Sequence, residues 1–82
     1  EEITDEKLRM IEAAEALLHD AGFSQVRVRF HGGIGRIEVS PGEMPRLFAM
    51  RDVIVPALKK AGFSYIALDL EGYRAGSMDE VL

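Results

Sequence analysis

The chain has 82 residues, 14 acidic side chains against 10 basic ones for a formal net charge of −4, and no cysteine. That size allows one small domain with one core. The acidic balance argues against nucleic acid or an anionic membrane surface as partner, and the missing cysteines exclude disulfides and a thiol nucleophile within these residues. With no apolar run of membrane-spanning length and no signal-peptide pattern, the expected location is cytoplasmic. The chain opens on Glu1-Glu2 and enters a helix signal almost at once, which we read as the start of a piece of a longer protein.

Thr4 is a good N-cap, and Asp5 and Glu6 suit the positive end of a helix dipole. Leu8, Ile11, Ala14, Leu17, Leu18 and Ala21 then recur at helical spacing, so a helix is predicted over 5–21, with Gly22 as its stop. His19 in its last turn suits the dipole and reads as structural. Next comes QVRVRFHGGIGRIEVS, residues 25–40. Val26, Val28 and Phe30 alternate with Arg27, Arg29 and His31; Ile37 and Val39 alternate with Arg36 and Glu38. Gly32-Gly33 between two alternating runs predicts a hairpin with a two-residue turn. Its register sets Val28 opposite Ile37, Val26 opposite Val39, Arg27 opposite Glu38 and Arg29 opposite Arg36. A slip of one residue would turn the valines to water. Arg27–Glu38 is then a favourable pair, whereas Arg29 against Arg36 is unfavourable unless something negative lies between them.

Pro41-Gly42 breaks the chain, and Pro45 suits the first turn of a second helix. That helix carries Leu47, Met50, Ile54, Leu58 and Ala61, with Pro56 expected to kink or split it. The tetrad Ala21-Gly22-Phe23-Ser24 returns as Ala61-Gly62-Phe63-Ser64, two copies of one helix-to-strand turn with the Phe packed under the helix end. The third strand is expected over 65–70, with Ile66, Leu68 and Leu70 toward the core and Tyr65, Ala67 and Asp69 on the other face.

The expected fold is α+β: a two-layer sandwich of order α-β-β-α-β, ferredoxin-like but lacking one strand. Its three-stranded antiparallel sheet has order 2-1-3 with two helices on one face. Residues 1–70 form the compact domain in this reading, and 71–82 form an irregular tail whose Tyr73, Met78, Val81 and Leu82 are apolar enough to dock on something.

Among residues that carry chemistry, the arginine face stands out. Guanidinium groups grip phosphate or carboxylate through paired N–H donors, and several on one rigid sheet make an anion site. The competing reading is a solvated sheet face of mixed charge, with Glu38, Asp69 and Glu71 balancing the arginines. The glycines of residues 31–35 match no phosphate loop, and His31 reads as an exposed turn residue. No nucleophile–base–orienter set and no metal-ligand spacing is present, so no catalytic or metal residue is assigned. A face binding single-stranded nucleic acid would need stacking aromatics among the arginines, and only Tyr65 is so placed.

Four stretches together carry a family resemblance: ITDEKLRMIEAAE, AGFSQVRVRFHG, GRIEVSPGEMPRL and LDLEGYRAGSMDEVL. They resemble the C-terminal domain of LarE-type ATP-dependent sacrificial sulfur transferases, in the PP-loop (N-type ATP pyrophosphatase) superfamily. The resemblance implies an upstream PP-loop domain with an SGGxDS-type loop, and ATP with Mg bound by the intact protein rather than by this piece. It implies transfer of sulfur to a carboxylate of a pyridinium dicarboxylate mononucleotide, on the route to the nickel-pincer nucleotide, with the sulfur coming from an upstream cysteine or an iron–sulfur centre. By the same resemblance, Arg27 and Arg29 bind phosphate or the mononucleotide and Glu38 matches a family glutamate beside them, with Arg36 joining this site from the sheet register; Arg74 and Ser77 make interface or tail contacts, and the intact protein is a homo-oligomer. Two departures stand in the tail, Ala75 for a serine and Asp79 for an asparagine. Taken without the resemblance, the chain reads as a non-catalytic binding or oligomerisation module.

Overall fold

A computed structural model describes residues 2–74. Helix α1 spans Asp5–Asp20, and the Oγ1 of its N-cap Thr4 accepts the Lys7 N–H at 3.2 Å. Ala14 and Leu18 are buried on its inner face. Strands β1 (Val26–His31) and β2 (Ile34–Val39) form the predicted hairpin in the predicted register, from Val26 opposite Val39 to His31 opposite Ile34. Gly32 and Gly33 turn it with φ of 51° and 88°, the left-handed pair that a two-residue turn between twisted strands requires. A short 3₁₀ turn over Pro41–Glu43 leads into α2 (Met44–Ala49), then α3 (Arg51–Ala61) and β3 (Tyr65–Leu68).

The repeated tetrads are one local solution used twice. Phe23 N–H donates to the Leu18 carbonyl and Phe63 N–H to that of Leu58, closing each helix with the same bond, and both rings are buried. Phe63 lies against β2, where a Cβ on Gly35 would come within 2.8 Å of its ring. The core is continuous: Ala14 and Leu18 of α1, the inward valines and Ile37 of the hairpin, Ile54 and Leu58 of α3, and the two phenylalanines.

The fold class is α+β with helices over one face of an open three-stranded sheet, as expected, but three details differ. The sheet order is β1-β2-β3, not 2-1-3, and β3 runs parallel to β2 with Ile34 opposite Tyr65, so the sheet is mixed rather than antiparallel. The outer edge of β1 is already engaged: the Glu15 carboxylate on α1 accepts the Val28 N–H at 2.9 Å. That leaves the far edge of β2 to receive the crossover strand, through Ser64 N–H donating to the Gly33 carbonyl and Asp69 N–H to that of Ile37.

The second difference is the helix break, which falls at Met50 rather than Pro56. Met50 N–H donates to both the Arg46 and Leu47 carbonyls, and α3 restarts at Arg51. Pro56 lies inside α3, where its missing N–H forgoes the one bond to the Asp52 carbonyl without ending the helix. Third, β3 stops at Leu68, and Leu70 is 81% exposed instead of facing the core. Asp69 Oδ1 accepts the Glu71 N–H and Gly72 N–H reaches the Asp69 carbonyl, a tight turn that takes Leu70 off the sheet. After the turn, Tyr73 N–H donates to the Val39 carbonyl at 2.8 Å.

Candidate anion site on the sheet

Strand alternation sends Arg27, Arg29, Arg36 and Glu38 to the face of the sheet away from the helices. There the structure joins three of them into one cluster. Glu38 is buried at 2% exposure, and its Oε2 accepts from Arg29 Nε at 3.3 Å and from Arg36 Nη2 at 3.2 Å. The negative group that the Arg29–Arg36 opposition demands is therefore Glu38, which sits diagonally between them. Asp69 adds a second carboxylate, with Oδ2 3.4 Å from Arg36 Nε.

Arg27 stands apart. It faces Glu38 in register, but its Nε lies 4.0 Å from Glu15 Oε2 and its guanidinium over the Tyr73 ring at 5.9 Å. The Arg27–Glu38 pair read from the register is thus replaced: Arg29 and Arg36 occupy Glu38, and α1 supplies Arg27 with its own carboxylate. Among the described residues, three guanidinium groups face three carboxylates: Glu15, Glu38 and Asp69.

Two buried side-chain atoms among the described residues have no hydrogen-bond partner, and both belong here: Arg36 Nε and Glu38 Oε1. Buried polar atoms are nearly always satisfied, so an orphaned donor and acceptor within one arginine–carboxylate cluster give the site the means to bind a further polar group. The described residues hold no group of three or more His, Cys, Asp or Glu placed to bind a metal.

Of the other predicted contacts, Arg74 pairs with Glu71 at 3.4 Å on the exposed turn, and Ser77 lies outside the described residues. Asp69 serves as the counter-charge expected of it, whereas Glu71 does not reach the cluster. Sequence reading missed Glu15. Its signal is a carboxylate inside the apolar stripe, four residues after Ile11 and three before Leu18, where solvent is not the natural surrounding. On the opposite side of the domain, Phe48 and Ile66 wall an apolar groove of about 180 Å³ between α2, α3 and β3. No described helix is long and apolar enough to cross a membrane.

No family model matches the chain. Two curated proteins do, each over essentially the whole of this chain. An uncharacterized protein of Synechocystis sp. is 41% identical over 86 aligned positions, which cover 100% of this chain and 31% of that protein. The pyridinium-3,5-bisthiocarboxylic acid mononucleotide synthase of Lactiplantibacillus plantarum is 38% identical over 80 positions, covering 98% of this chain and 29% of the synthase. The chain therefore spans about three tenths of the length of the curated relatives it matches. The match to the synthase, 38% identical over 98% of this chain, bears out the recognition of a LarE-type C-terminal domain.

Proposed function

We infer that the chain is the C-terminal part of an ATP-dependent sulfur transferase of nickel-pincer nucleotide synthesis. In this reading its sheet contributes the residues that hold the phosphate or carboxylate of a mononucleotide substrate. The observation that carries it is the Arg29–Glu38–Arg36 bridge with its two unsatisfied buried atoms, on the two strands that bear the LarE-like motifs. A guanidinium pair spaced by a fixed carboxylate is preorganised: Glu38 holds both side chains in place, so little side-chain freedom is lost when an oxyanion binds. The matched relative is named as a synthase of a pyridinium bisthiocarboxylic acid mononucleotide, and a product of that kind supports an acidic pyridinium mononucleotide as the substrate class.

The same reading assigns ATP and Mg to an upstream PP-loop domain in the same polypeptide, and oligomer contacts to the intact cytoplasmic protein. The test is an assay of the intact polypeptide with ATP, Mg and a pyridinium dicarboxylate mononucleotide. A thiocarboxylate product with release of pyrophosphate is expected. Failure to adenylate that substrate, or the absence of an SGGxDS-like loop upstream, would remove the transferase reading. A second reading, a docking or assembly module, is favoured by one observation: Phe48 beside the apolar groove is 63% exposed.

A further inference from the structure

The inference rests on the anion-site reading and concerns a residue outside the predicted site. Arg36 Nε is buried and unsatisfied, yet Asp69 Oδ2 lies only 3.4 Å from it. Asp69 thus covers this donor without forming a proper hydrogen bond to it. The two carboxylates at Arg36 differ in how firmly they are held. Glu38 is 2% exposed and accepts from two arginines. Asp69 retains 18% exposure, touches Arg36 alone, and sits on the turn that follows β3. Its other oxygen, Oδ1, accepts the Glu71 N–H at 2.9 Å, so the carboxylate belongs as much to the turn as to the arginine.

We propose that Asp69 is an internal stand-in for an external oxyanion: it occupies Arg36 when no ligand is bound and is displaced when a phosphate or carboxylate oxygen takes the Nε donor. Charge supports this division of labour. With Asp69 swung away, Arg36 loses one of the two carboxylates paired with it, which suits a single anionic group in its place. With Asp69 in place both are filled. A purely structural Asp69 would make its removal harmful or neutral for binding, whereas a stand-in makes removal a gain.

The experiment uses this chain and its D69N variant, titrated separately with inorganic phosphate and with nicotinate while backbone amide and arginine Nε–H resonances are recorded. Asparagine keeps the Oδ1 acceptor for the turn, and an unfolding midpoint close to that of the parent chain verifies that it does so. We expect D69N to bind about five- to tenfold more tightly, the scale of one partly exposed ion pair. In the parent chain, saturation should also move the Glu71 amide as Oδ1 leaves it. Preference for phosphate or for nicotinate identifies which group of a substrate the site takes, and either preference supports the displacement. Equal or weaker binding by D69N overturns it while leaving the anion site standing. No response at Arg27, Arg29 or Arg36 in either protein overturns both.

Discussion

Replacing Glu38 by alanine is expected to destabilise the chain by about 3 kcal/mol, the lower part of the range for breaking a buried ion pair. The cause is specific. Arg29 and Arg36 are directly opposite across the hairpin, and without Glu38 the two guanidinium groups share one patch of sheet without the carboxylate that bridges them. Arg36 is 36% exposed and can turn toward water, which keeps the cost below the upper limit. For a domain of this size the loss corresponds to roughly 10–20 °C in the melting midpoint. Urea unfolding of E38A and of E38A/R36M separates the causes. Removing the second charge should recover part of the loss, because a site with no unpaired charge tolerates apolar filling. If the double variant is less stable than the single one by a full kilocalorie, charge repulsion is not the reason.

The second large effect is expected at Arg46, which ties α2 to the end of α1. Its Nη1 and Nη2 donate to the Ala21 and Gly22 carbonyls at 2.9 and 3.0 Å, its Nε to Glu43 at 3.0 Å, and its guanidinium lies 3.9 Å from the centroid of Phe23. Ala21 is the C-cap of α1 and Gly22 the residue after it, so a cation on their carbonyls meets the negative end of the helix dipole. R46M keeps most of the apolar contact and loses every hydrogen bond, so a cost of about 2 kcal/mol follows. R46K keeps the charge but cannot serve two carbonyls, a carboxylate and a ring at once, and should lose more than half as much. Stability of R46K equal to the parent chain would show that charge alone suffices.

The parts legible in the sequence are those fixed by neighbours in the chain. Alternation with a period of two sets the hairpin register, because any slip exposes Val26, Val28 and Ile37, and the glycine pair sets the turn. The sheet order was not legible, since it depends on Glu15 taking the β1 edge from thirteen residues away. Nor was the burial of Glu38: a charged residue on an outward face reads as solvated until its two arginine partners are seen together. Leu70 continues the apolar alternation of β3, yet the turn held by the Asp69 side chain ends the strand two residues earlier, at Leu68. In each case a single polar side chain overrides the apolar pattern.

The central claim is that this sheet face takes an acidic mononucleotide through Arg27, Arg29 and Arg36. It is tested most directly by titrating nicotinate mononucleotide, which carries both a carboxylate and a phosphate, while following the resonances of this chain. Saturable shifts centred on those three arginines and Glu38 are the predicted result. Unmoved resonances there at several millimolar ligand, or shifts confined to the apolar groove beside Phe48, would contradict it.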